Sequence, residues 1–451
     1  MEQREYALYK RCLEWYCIDP DFRALMDESP RRAVEKLGYG QSLNGEQAYR
    51  AIRWTVFREP WGQAPDDNPY LQAVLAREQL LRSHLMRCHS REGFASEHLY
   101  SYEQMTRNRC RMESRLVRRN DYVFYFPFCI ELSKGCSVQC SFCGLSAEPH
   151  LGDFLYTEEN RGLFRSVVQA AYRHFGSILG CCPLYFATEP FDNPDYERFM
   201  VDFRQITGLL PQTTTAIANR DPQRLRRWME IIGPQALQEH AALRISIRSV
   251  EQFHKIAALY SPEELVSVEL VANNPQSIHR YSASGRAMDA PYGSRTAAHY
   301  SICCISGIRV NLVERSVSFL EPEVPSQAYP LGYHLRQVRT FRDAGEFALI
   351  LEEFDRLYFQ SRMPRELPLR FNANITLREE GGTYLFLGDG CGYRIGKNQF
   401  TQEIVAGIRE NQCFSQIISR FPITAGDVQR LYDAFEALYI RGYIQTGNSQ
   451  P

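Results

Sequence analysis

The chain has 451 residues, of which 44% are hydrophobic and 23% charged, an ordinary composition for a globular protein large enough for two or three domains. Its formal net charge of -1 excludes a strong general attraction to nucleic acid or to an anionic membrane. The charged N-terminus and the lack of a long apolar run predict neither a secretory signal nor a membrane span. With fourteen cysteines, these features predict a cytoplasmic protein whose thiols serve metals and chemistry rather than disulfides.

The first 120 residues are predicted to be mainly helical. Asp19 can cap a helix that begins at Pro20, and Gly38 suits the left-handed turn that ends a helix. Long, basic and polar helices follow over residues 67–120, where a solvated helix face explains the charge better than a binding patch does.

From Asp121 onward, short β-rich segments alternate with helical segments. The strand-like segments are YVFYFPFCIELS, PLYFATEP, PQTTTAIA, ALRISIRS, LVSVELVANN and ISGIRVNLVERSVSFL. Such alternation builds a parallel sheet with helices outside it. Because six strands are too few for an eight-unit barrel, the sequence predicts an α/β fold with a partial (β/α)6 barrel.

The C-terminal part follows an irregular, proline-containing connection and one further helix. Its sequence, FSQIISRFPITAGDVQRLYDAFEALYIRGYIQTG, predicts the order helix, turn, helix and strand of a winged helix. The helix that would enter DNA, DVQRLYDAFEALY, is acidic and apolar and therefore poorly suited to phosphates. A role in packing or in holding a peptide is the better interpretation.

Three cysteines, Cys136, Cys140 and Cys143, lie in a loop after the first strand-like segment, and strand ends are where α/β sheets place their chemistry. A zinc ion would need a fourth ligand. Cys129 and His150 are available, although neither has zinc-finger spacing. The alternative is a cubane iron–sulfur cluster with three irons held by thiolates and one left open.

The pattern Cys-x-x-x-Cys-x-aromatic-Cys, with Phe142 as the aromatic residue, resembles the signature of the radical S-adenosylmethionine (SAM) superfamily. The resemblance implies a [4Fe-4S] cluster on the three cysteines, with the amino and carboxylate groups of SAM on the fourth iron. It also implies that an electron, from a donor such as flavodoxin or ferredoxin, cleaves SAM to a 5′-deoxyadenosyl radical. We favour this interpretation over zinc because the partial barrel agrees with it.

The same resemblance implies SAM contacts near the ends of later strands. The residues at those positions are Thr188, Glu189, Ser246, Arg248, Asn273 and Asn274. The glutamate would accept a hydrogen bond from the SAM ammonium, and the arginine would suit the carboxylate. The two asparagines would lie near the ribose or the adenine.

Longer stretches resemble the radical SAM peptide epimerases, isomerases that convert L-residues to D-residues in ribosomally synthesised peptides (RiPPs). These stretches are FCIELSKGCSVQCSFCGLSA, FATEPFDNPDYERF, PQTTTA, SPEELVSVELV, CISGIRVNLVERSV and PLGYHL. The N-terminal DPDFRALMDESPRRAVEKLGY is similar to Nif11-type leader-like helices. One departure is Ser141, which stands where this family leads us to expect a tryptophan.

With this resemblance, the chain divides into five predicted segments. They are a Nif11-like leader-type helical segment (1–60), a helical linker (61–120), the radical SAM partial barrel (121–325), a connecting region (326–395) and a winged-helix-like domain (396–451). The partner that the resemblance implies is a precursor peptide with a leader sequence. The leader would contact the N-terminal helices, the winged-helix-like end, or both.

For an epimerase, the radical would remove the α-hydrogen of an L-residue, and a cysteine thiol would return a hydrogen from the opposite face. The resemblance makes Cys304, the cysteine before ISG, the expected donor. Its neighbour Cys303 should point to the other face of the strand. Cys391, flanked by glycines, is a further candidate. Without the resemblance, packing in the core would explain the strand cysteines better, and the choice among the three thiols stays open.

Two alternatives compete with the epimerase. One is another radical SAM peptide modification, such as a crosslink or the excision of a residue, and the other is a non-catalytic peptide-binding scaffold with a structural metal. Beyond the predicted barrel the sequence contains only Cys391 and Cys413, too few for an auxiliary four-thiolate cluster. This shortage favours a redox-neutral reaction that needs a single hydrogen donor.

Overall fold

A computed structural model describes residues 2–57, 67–113, 125–240, 242–278, 281–282, 284–288, 296–297, 304–323, 325–388 and 391–446. The helices are α1 (Gln3–Ile18), α2 (Pro20–Glu28), α3 (Pro30–Lys36), α4 (Gly45–Phe57), α5 (Pro69–Cys88), α6 (Glu97–Glu113), α7 (Glu158–Phe175), α8 (Tyr196–Thr207), α9 (Pro222–Ile232), α10 (Pro234–His240), α11 (Val250–Leu259), α12 (Ala344–Tyr358), α13 (Gln399–Arg409), α14 (Phe414–Ile418) and α15 (Ala425–Ile440). None of the helices in these ranges has the length and apolar character needed to cross a membrane.

The strands of the described ranges are short. They are β1 (Phe126–Glu131), β2 (Ser133–Lys134), β3 (Gly152–Asp153), β4 (Thr213–Thr215), β5 (Leu243–Ile247), β6 (Glu269–Ala272), β7 (Tyr281–Ser282), β8 (Thr296–Ala297), β9 (Ile305–Asn311), β10 (Ser316–Pro322), β11 (Tyr333–Thr340), β12 (Leu369–Phe371), β13 (Thr376–Glu380), β14 (Thr383–Gly388), β15 (Cys391–Gly396) and β16 (Ile444–Thr446). They form several small sheets, the largest with the strand order β1-β9-β10-β11.

The parallel strands that could belong to a barrel fall into two groups. β1 pairs with β9, while β4, β5 and β6 form a separate three-stranded sheet. The segment PLYFATEP, predicted as a strand between these groups, is not one: it meets β1 through the Ile130 N–H, which donates to the Pro183 carbonyl at 3.2 Å. Pro183 and Pro190 lack the N–H groups that a ladder needs. The described residues form no closed barrel, and the six-stranded partial barrel stays a prediction.

The segment ISGIRVNLVERSVSFL is a hairpin, so the expectation of one strand there is wrong. β9 and β10 pair in antiparallel fashion, and β11 extends the sheet beyond β10. The reversal follows from two local features. The Asn311 side chain accepts a hydrogen bond from the Glu314 N–H at 3.1 Å, and Arg315 adopts a φ of +50°.

The helices that follow the parallel strands bury large apolar side chains in one shared core. Phe164, Phe199, Trp228 and Phe253, one each from α7, α8, α9 and α11, are fully buried there. α12 joins the same core through Phe347. The packing of this unit therefore continues beyond position 325, where the sequence was expected to leave the barrel.

A second core belongs to the C-terminal part. It joins helices α13, α14 and α15 to strands β12, β14 and β16 through Met363, Leu369, Phe386, Ile404, Phe414, Phe435 and Ile444. α14, α15 and β16 follow one another in the predicted order, and β16 pairs with β12. A three-stranded antiparallel sheet of β13, β14 and β15 occupies part of the segment expected to be a connection.

The N-terminal helices have a core of their own and dock on the unit that contains the parallel strands. Asp19 caps α2 as predicted, because its side chain accepts the N–H groups of Asp21 and Phe22. The other carboxylate oxygen of Asp19 lies 2.7 Å from Nε2 of His254 on α11. The buried Arg11 guanidinium donates to the Tyr260 carbonyl at 3.3 Å. These contacts tie the leader-like segment to the rest of the chain.

Candidate functional site

The three-cysteine loop is closed at its base by backbone pairing. β2 and β3 pair on either side of it, and the Cys136 N–H donates to the Glu148 carbonyl at 2.8 Å. Gly135 has a φ of +74°, and a Cβ at this position would lie 2.1 Å from the Pro149 carbonyl oxygen. Glycine is therefore required where the chain enters the loop. The backbone conformation at the start of the loop is therefore fixed by this pairing and by Gly135.

The loop cysteines are partly buried free thiols, and Phe142 between them is also partly buried. Burial raises the pKa of Cys136, and it raises the pKa of Cys140 to about 11. Both groups are therefore thiols at neutral pH unless a cation stabilises the thiolate. Arg248 acts against burial and lowers the pKa of Cys140, so its guanidinium lies near this ligand candidate.

Arg286 holds the loop from a distant part of the sequence that gave no signal of this role. Its Nε donates to the Cys140 carbonyl at 3.0 Å, and Nη1 donates to the Ala147 carbonyl at 3.0 Å. Its backbone N–H lies 3.0 Å from the Cys143 carbonyl and 2.8 Å from Ser146 Oγ. One arginine therefore fixes the backbone at two of the three cysteines.

Gln139 closes the loop from within, and the sequence did not single it out either. Its side-chain amide lies 2.7 Å from the Cys136 carbonyl, 3.1 Å from that of Ala147 and 2.8 Å from that of Glu148. Gln139 adopts a φ of +48°, a conformation that costs free energy in a residue with a side chain. The hydrogen bonds offset this cost and keep the loop compact.

The segment with Thr188 and Glu189 lies against the cysteine loop, because the Ser137 N–H donates to Asp192 Oδ2 at 2.8 Å. Thr188 is partly buried. Glu189 is almost fully buried, and burial raises its pKa to about 7. Its oxygens accept the Phe191 N–H at 3.2 Å and the Ala216 N–H at 2.8 Å. The second of these bonds joins the segment to Ala216, the residue after β4.

Strand β5 brings three of the predicted cofactor contacts to one face. Ser246 and Arg248 alternate with fully buried apolar residues, as the two-residue period of a strand requires. Asn273 donates to Ser246 Oγ at 3.4 Å. Nε of Arg248 is buried and has no hydrogen-bond partner among the described residues.

Asn274 does not share that face. Its side chain is fully buried, and Nδ2 donates to the Ile18 carbonyl at the end of α1 at 2.9 Å. The chain turns where β6 ends, because the Asn273 N–H donates to the Val271 carbonyl at 2.9 Å. Asn274 joins the N-terminal helices to the parallel-strand unit, and its contact with SAM stays a prediction.

Cys304 lies at the far end of the parallel strands from the cysteine loop. Its carbonyl accepts the Phe126 N–H at 2.9 Å, where β1 begins. The thiol is reachable by solvent, yet the protein around it raises its pKa. Cys303 lies outside the described residues, and Cys391 opens β15 in the C-terminal sheet, where only its backbone is described.

Two arginines on one face at β5 act on the candidate thiols, one on a loop cysteine and the other on Cys304. Arg248 lowers the pKa of Cys140 in the loop, and Arg244 lowers the pKa of Cys304 at the other end. The two arginines are four residues apart on the strand, which separates their Cα atoms by about 13 Å. Arg248 therefore lies near Cys140, and Arg244 lies near Cys304.

The loop cysteines are not gathered as a compact ligand set for a single ion. A zinc ion holds two thiolate sulfurs about 3.8 Å apart. Within the described part of the chain, three potential ligand atoms lie within 4.8 Å of one another at His84, Cys88 and Cys181, and not at the loop cysteines. The alternative zinc ligand His150 lies 3.1 Å from Asp153. The buried, unpartnered Nε of Arg248 fits a carboxylate such as that of SAM.

Comparison with known proteins finds a relative in Sinorhizobium fredii. The chain is 31% identical over 391 residues to "Uncharacterized protein y4wI", and the alignment covers 83% of this chain and 74% of the relative. No protein-family model matches the chain. No solved structure matches it.

Proposed function

The chain belongs to the family of the y4wI protein, and we propose that it is a radical SAM enzyme that converts L-residues to D-residues in a ribosomal precursor peptide. One observation carries the proposal. Arg248, just after β5, lies near Cys140 of the three-cysteine loop, and Arg244 on β5 lies near Cys304, which supports an arrangement with the loop and the Cys304 thiol on opposite sides of one peptide. Epimerisation needs a group that removes hydrogen on one side of the α-carbon and a thiol that donates hydrogen on the other side.

In this proposal Cys136, Cys140 and Cys143 hold a [4Fe-4S] cluster through their thiolates. Nε of Arg248, which is buried and unpartnered, supports a contact with the SAM carboxylate. Thr188 and Glu189 would lie near the SAM amino group, since their segment contacts the loop. The side chains of Ser246 and Asn273 would contact the ribose or the adenine. When bound, these groups supply the radical chemistry that removes the α-hydrogen of a peptide residue.

Cys304 performs the second half of the reaction. Its S–H bond breaks and a new C–H bond forms on the peptide α-carbon, which ends as a closed-shell D-residue. The unpaired electron then resides on the Cys304 sulfur. One electron from a donor of the flavodoxin or ferredoxin class and one proton from solvent restore the thiol, so that atoms and charge balance. The raised pKa of Cys304 supports this role, because the group stays protonated and keeps the hydrogen that it must donate.

The peptide and the compartment belong to the same proposal. A leader would bind the N-terminal helices, the winged-helix-like end, or both. A cytoplasmic location suits both a low-potential electron donor and an oxygen-sensitive cluster.

The first experiment tests SAM chemistry without any peptide. Protein reconstituted anaerobically with iron and sulfide is reduced with dithionite in the presence of SAM, and the release of 5′-deoxyadenosine is measured by liquid chromatography. We expect release by the native chain and none by a Cys140→Ala variant. Absence of release by the native chain, or a metal analysis that finds only zinc, would leave a scaffold with a structural metal.

The second experiment identifies the reaction in heavy water with a candidate precursor peptide. Epimerisation adds one deuterium at each inverted α-carbon and leaves the mass otherwise unchanged. A crosslink or an excision changes the mass in ordinary water. Either of those mass changes would keep SAM chemistry and replace the epimerase by another peptide modification.

A further inference from the structure

A second set of metal-ligand side chains lies away from the cysteine loop, where α5 meets the turn before Pro183. His84 and Cys88 are four residues apart on α5 and therefore share one face of the helix. Cys181 ends the short 3-10 helix Ser177–Cys181 that packs against this face. All three side chains are buried, with at most 9% of their surface exposed.

The two nitrogen–sulfur distances within this group suit a single ion. Nε2 of His84 lies 3.6 Å from Sγ of Cys88 and 3.9 Å from Sγ of Cys181. In a tetrahedral zinc site with Zn–S of about 2.3 Å and Zn–N of about 2.0 Å, the nitrogen and sulfur ligands are about 3.6 Å apart. Nε2 of His84 therefore already lies about as far from each sulfur as it would if a zinc ion bound all three atoms.

The two sulfurs converge on each other as well as on the histidine, and the structure joins them as a disulfide. A disulfide offers no thiolate to a metal, so a metal can bind only to the reduced chain. Reduction leaves Cys88 and Cys181 as two thiols beside an imidazole nitrogen, in a setting where thiolates need a cation.

We propose that in the reduced chain His84, Cys88 and Cys181 bind one divalent cation of the zinc class. Two S–H bonds break, two metal–sulfur bonds form, and two protons pass to solvent, with no change of oxidation state. A water molecule completes four ligands. This site is separate from the cysteine loop and does not depend on the epimerase proposal.

The site would fasten the N-terminal helices to the unit that carries the cysteine loop. α5 already contacts that unit through Arg77, whose Nη2 donates to the Ser267 carbonyl at 2.9 Å. Cys181 lies two residues before the segment that pairs with β1 through Pro183. A metal at this point would hold the helical layer in place beside the strand that leads to the candidate active site.

The test uses the full chain with the three loop cysteines replaced by alanine, so that the loop cannot take up metal. The protein is reduced anaerobically, freed of metal and titrated with Co²⁺, whose thiolate charge-transfer bands and tetrahedral d–d bands report the ligands. We expect one equivalent of Co²⁺ to bind and one equivalent of Zn²⁺ to displace it. Adding His84→Ala or Cys181→Ala should abolish the bands. Cys182→Ala, at the neighbouring buried cysteine, should leave them unchanged.

X-ray absorption of the zinc-loaded chain identifies the ligands without changing any of the three. We expect two sulfur ligands at about 2.3 Å and an imidazole nitrogen at about 2.0 Å. A shell of oxygen ligands, no uptake of Co²⁺ by the reduced chain, or uptake that survives Cys181→Ala would each overturn the proposal. A failure to bind metal with Cys88 and Cys181 unreactive toward thiol reagents would assign the pair to a disulfide alone.

Discussion

The Arg286 guanidinium donates a hydrogen bond of 3.0 Å to the carbonyl oxygen of Cys140. This contact crosses from the segment after β7 to the cysteine loop, and further bonds of Arg286 reach Ala147 and Cys143. The spacing of the loop cysteines therefore depends on a side chain that belongs to a different part of the chain.

Arg286→Ala should lower the amount of cluster that the chain holds after reconstitution, because the loop loses bonds worth roughly 1.5–3 kcal/mol each. Iron and sulfide per chain are the measurements. Arg378→Ala, at an exposed position on β13, is the matched control and should load normally. Full iron loading of the Arg286 variant would show that the loop keeps its shape without this arginine.

Arg248→Ala should weaken SAM binding, since a charge-assisted bond worth roughly 1.5–3 kcal/mol corresponds to about a tenfold to hundredfold rise in Kd. The change in the paramagnetic resonance spectrum of the reduced cluster during a SAM titration measures this Kd. Arg220 also lies near the loop, 3.4 Å from Ser137 Oγ, so Arg220→Ala tests for a nonspecific effect of lost charge. Equal Kd values for both variants and the native chain would remove Arg248 from the SAM site.

Cys304→Ala should separate the two halves of the proposed reaction. Release of 5′-deoxyadenosine in the presence of peptide should persist, whereas D-residues should fall to background because the proposed hydrogen donor is missing. Chiral amino-acid analysis of the hydrolysed peptide gives the second quantity. Cys182→Ala, at a buried thiol that bonds the Ile178 carbonyl, should behave like the native chain. Unchanged epimerisation by the Cys304 variant would assign the donor to another residue.

Asn273→Ala and Asn274→Ala should change different quantities, the Kd for SAM and the free energy of unfolding respectively. Loss of Asn274 should reduce the free energy of unfolding by about 1–3 kcal/mol, because its buried bond to the Ile18 carbonyl is lost, and should leave the Kd for SAM unchanged. Loss of Asn273 should raise that Kd with little effect on unfolding. Urea denaturation and the SAM titration measure the two quantities. A SAM defect in the Asn274 variant alone would reverse the orientation that we assign to this pair.

Glu189 should make unfolding depend on pH. Burial raises its pKa to about 7 in the folded chain, above the ordinary value of 4.5, so the folded state holds the extra proton between these values. Stability contributed by this group is therefore present below the ordinary pKa and is lost as the pH rises toward 7, by roughly 3 kcal/mol at most. Urea midpoints of the metal-free chain from pH 4.5 to 7.5 should fall more steeply than those of Glu189→Gln. Parallel curves would show that folding does not raise the pKa of Glu189.

Local patterns predicted local features well. The cap at Asp19 and the left-handed Gly38 depend on adjacent residues, and both occur where the sequence indicates. The two-residue period placed Ser246 and Arg248 on one face of β5.

Features that depend on distant contacts could not be found in this way. Nothing near Arg286 marks it as a partner of the loop carbonyls, and Gln139 acquires its role only when the loop closes. The segment from Pro183 onward has strand-like composition, but Pro183 and Pro190 cannot donate to a ladder, and the Ala187 N–H donates to the Glu131 side chain instead of to a strand carbonyl. His84 and Cys88 share a helix face in the sequence, but only the fold adds Cys181 to them.

The proposed placement of the loop and Cys304 on opposite sides of the peptide bears on how far the proposed reaction can proceed. A racemase can remove the α-hydrogen of both the L-isomer and the D-isomer, so its reaction stops at an equal mixture of the two. Here the finished residue would carry its new hydrogen toward Cys304 and away from the loop, where it cannot be removed again. The enzyme would therefore not act on the D-residues that it produces, and the conversion of each target residue could go to completion. Each inversion would consume one molecule of SAM.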